Sequence, residues 1–214
     1  MNKEQNNEMP RGIRLFGPPG SGKSTFAKKL AENIGAHFIE QDDYYAQALA
    51  DCGYARRLPQ NMTKEDAEKF REERRKIVGP RLAELLQEAI SDDGRFFVLD
   101  GAFTIFEGAE QLEHMFDGAV CVDTPLETRK QRIIERGGDD TEHIRRCTAK
   151  TTEYENGPRQ CEDEWAERLS CDKHTINGDA TTSEMVQEIM NKMPQLQEMM
   201  LAKQKNAGGK DGTE

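Results

Sequence analysis

The sequence predicts an α/β fold built on a parallel sheet, and three observations predict it. The stretch Gly17-Pro18-Pro19-Gly20-Ser21-Gly22-Lys23-Ser24-Thr25 satisfies the phosphate-loop pattern G-x-x-x-x-G-K-[ST] at every fixed position. A short apolar run (Ile13, Leu15, Phe16) precedes it, and Phe26, Ala27, Leu30, Ala31 and Ile34 follow at helical spacing. Beyond this unit, short apolar runs alternate with longer helical patterns, the ordering that brings strands together in parallel.

Taken in order, residues 1–11 are polar and are expected to be disordered. After the phosphate loop and its helix, His37-Phe38-Ile39-Glu40 reads as the second strand, followed directly by Gln41-Asp42-Asp43-Tyr44-Tyr45. A long helical stretch opens on Thr63 with Asp66, spaced as a capping box. Phe70, Ile77, Val78, Leu82, Leu85, Leu86 and Ile90 can line one side of it, with a break or kink expected at Gly79-Pro80. The dense charge between Lys64 and Lys76 reads as a solvated face. Phe96-Phe97-Val98-Leu99 is a buried strand ending at Asp100-Gly101, and Ala119-Val120-Cys121-Val122 is a fourth, closed by Asp123-Thr124-Pro125. The helix after Pro125 carries Arg129, Arg132 and Arg136 and stops at Gly137-Gly138. Helical segments are expected near 140–155 and 159–169, and Lys173-His174-Thr175-Ile176 is a weaker fifth strand ending in the turn Asn177-Gly178-Asp179. A last helix from about Thr182 turns Met185, Val186, Ile189, Met190 and Met193 inward; the Lys/Gly-rich tail, 203–214, is expected to be disordered.

A chain of 214 residues holds one core of about five strands with covering helices, so a second full domain is not expected. The net charge of −10, with basic residues interleaved among acids, argues against nucleic-acid or anionic-membrane partners. The cysteines (Cys52, Cys121, Cys147, Cys161, Cys171) form no C-x-x-C pair and suggest reduced thiols, neither a zinc site nor a disulfide framework. No apolar run approaches a membrane span, and Met1 to Arg11 is too polar for a signal peptide. The expectation from these bulk properties is a soluble cytoplasmic protein, a monomer or small homo-oligomer; the phosphate loop adds a bound nucleoside triphosphate.

The chemistry follows from the loop. Its glycines let successive N–H groups point inward at a helix N-terminus, an anion nest. Lys23 would reach the β- and γ-phosphates, and the Ser24 hydroxyl would take a position on Mg²⁺. Asp100, at the end of an apolar strand, stands where a second metal-holding acid belongs; it could equally start a turn with Gly101. Asp42 could accept a proton from an acceptor hydroxyl or help hold the metal, and Tyr44 and Tyr45 could stack on a flat substrate or simply pack. Arg132 and Arg136 are the better candidates to close over the migrating phosphoryl, with Arg145 and Arg146 after them; the alternative for the helix arginines is surface pairing with Glu127 and Glu135. The histidines are scattered, without metal-ligand or nucleophile spacing.

These residues resemble the P-loop nucleoside and nucleotide kinase superfamily over most of 12–195. The loop and Phe97-Val98-Leu99-Asp100-Gly101-Ala102-Phe103-Thr104 are similar to segments of adenylate kinases, as is Val122-Asp123-Thr124-Pro125 through Arg136. Thr104 stands where adenylate kinases carry an acceptor-gripping arginine, and their large lid is reduced to a short passage around Arg136 to Asp140. Glu40-Gln41-Asp42-Asp43-Tyr44-Tyr45 is more similar to the acceptor segment of uridine kinases and nicotinamide riboside kinases, in which the first aspartate is the candidate base. The resemblance implies a three-layer α/β/α P-loop NTPase fold with a five-stranded parallel sheet in the order 2-3-1-4-5. It also implies a kinase domain over 12–202, with an acceptor-binding helical region at about 43–95, a short lid at 136–158, and adenine near Asn177 and Gly178. The implied activity is ATP- and Mg²⁺-dependent phosphoryl transfer to a nucleoside, nucleotide or related metabolite. The alternative is a P-loop ATPase or a regulatory ATP-binding protein; against the ATPase, Gly101 follows Asp100 where a glutamate is usual.

Overall fold

The computed structural model describes residues 11–55, 62–101, 109–155 and 171–208. In chain order these form β1 (Gly12–Phe16), α1 (Lys23–Ile34), β2 (His37–Glu40), α2 (Gln41–Asp51), α3 (Lys64–Asp93) and β3 (Phe97–Asp100). A 3-10 segment (Ala109–Met115) leads into β4 (Phe116–Asp123), α4 (Leu126–Gly137), α5 (Thr141–Glu155), β5 (Asp172–Asn177), α6 (Thr182–Lys192) and α7 (Pro194–Gly208). The expected helix at 159–169, Ala102 to Thr104, Cys161, the first ten residues, the end of the lid at 156–158 and the tail beyond 208 lie outside the described residues.

The five strands form one sheet in the order β2-β3-β1-β4-β5, every neighbouring pair parallel, as the resemblance implies. Side-chain alternation sends the strand residues into two cores. On one face Ile13, Leu15 and Val98 pack with Phe26 and Leu30 of α1 and with Met185 and Ile189 of α6. On the other, Phe97 and Leu99 join Leu82, Leu86 and Ile90 of α3. Burial on both faces is what an all-parallel sheet requires, and it explains why the strands read as continuous apolar runs.

Helix α3 opens on the expected cap, with the Thr63 hydroxyl accepting from the Asp66 amide. It then runs unbroken through Gly79 and Pro80, where the sequence suggests an interruption. Proline inside a helix costs about 3 kcal/mol. Full burial of Val78, Leu82, Leu86 and Ile90 on one face, at about 1.5–3 kcal/mol each, outweighs that cost. Ile77, expected on the inner side, is instead 52% exposed, because its neighbour Val78 takes the inward position.

The final helix also outruns its sequence boundary. Residues 203–208, expected in the tail, continue α7. Met199 and Met200 pack on the core beside α1, and the Lys203 ammonium donates to the Glu32 carbonyl of that helix. Strand β4 begins at Phe116 and not Ala119, since Phe116 pairs with Gly12 and sets its ring edge-on to Phe97 at 5.6 Å.

Candidate functional site

The phosphate loop links the carboxyl end of β1 to the first turn of α1. Gly22, with φ 92°, is the N-cap of α1 and supplies no side chain to the helix end; the first turn holds no acid. By contrast, α6 starts with a complete capping box, Thr181 with Glu184. The first amides of α1 are therefore left for a ligand, at the positive end of the helix dipole. Gly20 is required for two reasons: its φ of 83° is left-handed, and a Cβ there would lie 2.6 Å from the Arg129 carbonyl oxygen.

A network of buried polar groups fixes the loop from behind. The Ser21 amide donates to the Pro18 carbonyl, and the Ser21 carbonyl accepts from the Thr124 hydroxyl at 3.0 Å and from Arg132 Nη1 at 3.3 Å. The Thr151 hydroxyl of α5 donates to the Pro19 carbonyl at 2.9 Å and accepts from Arg129 Nη1 at 2.9 Å. Arg129, buried, also donates through Nη2 to Glu155. Arg129 thus ties α4 to α5 and, through Thr151, to the loop. Its sequence alternative, pairing with Glu127, belongs instead to Lys130.

The loop opens onto a cavity of about 780 Å³ at the carboxyl ends of β1, β2 and β3. That is the size of small-molecule sites, about 300–1,000 Å³, and the edge where open α/β sheets bind ligands. Gly17, Pro19, Gly20, Ser21, Gly22, Lys23, Ser24 and Thr25 of the loop line it, whereas Pro18 does not. Asp42, Asp100, Arg132 and Arg136 line it as well. Of the second arginine pair, Arg146 reaches the cavity; Arg145 turns outward to pair with Glu142.

Asp42 lies in the first turn of α2: α2 begins directly after β2, and acids are favoured at a helix start. Buried Gln41 anchors this turn. Its Oε1 accepts from Arg14 Nη2 at 3.1 Å, and its side chain fills the space where any Cβ on Gly101 would fall, 2.5 Å away. Tyr45 lines the cavity, while both Tyr44 and Tyr45 pack on the α3 side of the core.

Asp100 is buried, and burial pushes its carboxyl above the ordinary range; the Lys23 charge and the Ser24 hydroxyl oppose the shift, while Glu40 and Asp42 reinforce it. Its Oδ1 has no hydrogen-bond partner among the described residues. A buried carboxylate oxygen without a donor, beside Ser24 and Lys23, fits the water shell of a Mg²⁺ held chiefly by a triphosphate. Among the described residues no three His, Cys, Asp or Glu side chains gather as a metal cage.

Asn177 and Gly178 sit behind the loop and do not line this cavity. The Gly178 amide donates to the Asp123 carbonyl, and its carbonyl accepts from Arg132 Nη1 at 2.8 Å. Arg132 therefore clamps the Asn177-Gly178 turn to the phosphate loop through one nitrogen. Gly137 serves close packing, since a Cβ there would lie 2.3 Å from Ile144 Cγ1.

Sequence reasoning missed several cavity residues. Arg71, Arg74 and Arg75, within the charge run taken for a solvated face, line the cavity from α3. His143 and Cys147, one turn apart on α5, line it together with Nε2 and Sγ 3.6 Å apart. Their spacings of three and four could have marked shared faces, but nothing in the pattern says which face points inward.

This combination of sheet order, loop and open helix end defines a P-loop nucleotide-binding protein with a kinase-like fold. The chain belongs to a family of AAA domains, whose model matches residues 13–154. It is 29% identical over 143 residues to a cytidylate kinase of Archaeoglobus fulgidus, covering 67% of this chain and 71% of that protein. It is 26% identical over 156 residues to an adenylate kinase of Nocardia farcinica, covering 68% and 82%. Among solved structures, TT1252 from Thermus thermophilus superposes with a TM-score of 0.57 at 19% identity, covering 87% of this chain and 99% of that one. Shikimate kinase from Acinetobacter baumannii superposes at 0.52, also at 19% identity, covering 88% and 95%. These likenesses in structure are ones of fold.

Proposed function

We propose that the protein is an ATP- and Mg²⁺-dependent kinase that transfers the γ-phosphoryl group to a nucleoside, nucleotide or related metabolite. The observation that carries this is the uncapped, acid-free start of α1 opening, with Lys23 and Ser24, into a cavity that also holds Asp42, Asp100, Arg132 and Arg136. In this reading the loop amides and Lys23 hold the β- and γ-phosphates, and Ser24 with Asp100 orients the magnesium and its waters. When bound, magnesium neutralises charge on the phosphate oxygens. Asp42 takes the proton of an acceptor hydroxyl, and Arg132 and Arg136 face the charge that develops on the migrating group. The relatives named cytidylate kinase and adenylate kinase support phosphoryl transfer as the chemistry.

A second reading, an ATPase with no small-molecule acceptor, draws on the AAA description of the family. Gly101 counts against it, because the Gln41 side chain leaves no room for a glutamate after Asp100. ADP formation measured with and without a panel of nucleosides, nucleotides, sugars and hydroxy acids separates the two. Acceptor-dependent ADP formation supports the kinase; equal rates without any acceptor support the ATPase. Asp42→Asn is expected to lower turnover by about 10²–10⁴-fold with the KM for ATP little changed. An unchanged rate would remove Asp42 from the chemistry.

A further inference from the structure

The charges around the cavity are sorted by position. The acids Glu40, Asp42 and Asp100 stand at the strand ends beside the phosphate loop, whereas Arg71, Arg74 and Arg75 form one face of α3. That face is selected from a helix rich in both signs. Lys69 pairs with Glu65 and Lys76 with Glu72, each one turn away on exposed surface. The arginines make no ion pair with a described residue. Arg74 donates to the Ala55 carbonyl at 3.4 Å, lies 6.0 Å from the Phe70 ring, and keeps its Nε buried without a hydrogen-bond partner among the described residues. The same helix face continues into the cavity as Val78, Gly79 and Leu82, across from Tyr45.

The donor does not account for this wall. Eight cationic side chains line the cavity against three acids. A magnesium-bound triphosphate, roughly a dianion, is already met by Lys23, the loop amides, Arg132 and Arg136. Guanidinium groups that face a cavity are suited to an oxyanion, carboxylate or phosphate, which they bind through charge-assisted, often bidentate hydrogen bonds. At the other end, Asp42 beside Asp100 and Glu40 disfavours a second phosphate dianion and favours a neutral hydroxyl, whose proton a carboxylate can take.

We infer that the acceptor is a hydroxyl compound carrying a separate oxyanion, a phosphate monoester or carboxylate. Arg71, Arg74 and Arg75 hold that group while the hydroxyl faces Asp42. This rests on the kinase reading above and narrows its acceptor class. In the transfer, the acceptor oxygen forms a bond to the γ-phosphorus as the bond to the β-bridging oxygen breaks, ADP leaves, and the hydroxyl proton passes to Asp42. The product is a new phosphate ester at the acceptor's hydroxyl, not a phosphoanhydride.

The test begins with the protein saturated with Mg²⁺ and a non-hydrolysable ATP analogue; failure of that first titration overturns the kinase reading itself. The loaded protein is then titrated calorimetrically with glycerol, glycerate and glycerol 3-phosphate, which share hydroxyls and differ in the oxyanion. At least one oxyanion is expected to bind more tightly than glycerol by at least about tenfold, and the better of the two distinguishes carboxylate from phosphate. The Arg71→Gln/Arg74→Gln/Arg75→Gln variant should erase that preference while nucleotide affinity changes by less than about threefold; Arg75→Gln alone should reduce it in part. Equal binding of all three compounds, or a preference that survives in the triple variant, overturns the inference. With Mg·ATP and CMP, phosphorus NMR showing CDP would overturn it too, because the acceptor would then be the phosphate itself.

Discussion

Thr151→Val isolates the strut that joins α5 to the phosphate loop. The side chain keeps its volume and loses one oxygen, which donates to the Pro19 carbonyl and accepts from Arg129 Nη1, both at 2.9 Å. A hydrogen bond to a charged group contributes about 1.5–3 kcal/mol and a neutral one about 0.5–1.5. The Thr151 carbonyl, 3.4 Å from the same Arg129 nitrogen, offsets part of the first. The expected loss is about 2–4 kcal/mol, or roughly 4–16 °C in Tm for a chain of this size. Thr151→Ser removes only a methyl group, about 1 kcal/mol, and keeps both bonds. Because Pro19 belongs to the loop, the valine variant should also bind Mg·ATP more weakly, and the serine variant should not. Differential scanning calorimetry with and without Mg·ATP measures both effects. A valine variant within about 0.5 kcal/mol of the serine variant would show that the strut holds nothing in place.

Other expectations follow from the same geometry. Asp100→Asn removes a carboxylate whose ionisation burial opposes. With its folded pKa raised, Asp100 destabilises the ligand-free protein increasingly as pH climbs through the carboxylate range, so the variant should melt higher than wild type at neutral pH. Its affinity for magnesium in the presence of ATP should fall by about 10- to 100-fold, read by titrating the metal; a lower Tm or unchanged metal affinity would contradict this assignment. Thr181→Ala breaks the capping box of α6 and should cost about 1 kcal/mol by chemical denaturation. The Thr181 hydroxyl lowers the Glu184 pKa, so the box stabilises α6 above the ordinary glutamate range and this support is lost as pH falls through the lowered value. The gap between wild type and Thr181→Ala should therefore narrow in acid, leaving the bond from the Glu184 amide to the Thr181 hydroxyl; a gap that does not change with pH would refute the link.

Much of the fold was legible because its signals were local. The phosphate loop carries its conformation in its glycines, β2 ends where the apolar run ends, and α4 is bracketed by Pro125 and Gly138 as the sequence suggests. Features that depend on remote packing were not. The Lys64–Lys76 run has charges all round, and only the docking of Val78 and Leu82 into the core decides that Arg71, Arg74 and Arg75 turn toward the cavity. The arginines of α4 looked equivalent at spacings of three and four. Their separation into a buried strut, Arg129, and cavity residues, Arg132 and Arg136, depends on Thr151, which is 22 positions from Arg129. The continuation of α7 was hidden for the same reason, since its contacts lie on α1 at the other end of the chain. Gly101 reads as half of a turn with Asp100, and nothing nearby in sequence reveals that Gln41 requires it to be bare.

Calorimetric titration of wild type and Lys23→Ala with Mg·ATP tests the central claim most directly. Wild type should bind one nucleotide saturably, and the variant, equally folded by circular dichroism, should bind at least about tenfold more weakly and catalyse no transfer. Absence of binding by wild type at millimolar Mg·ATP, or equal affinity and turnover in the variant, would contradict the reading of this loop as a triphosphate cradle.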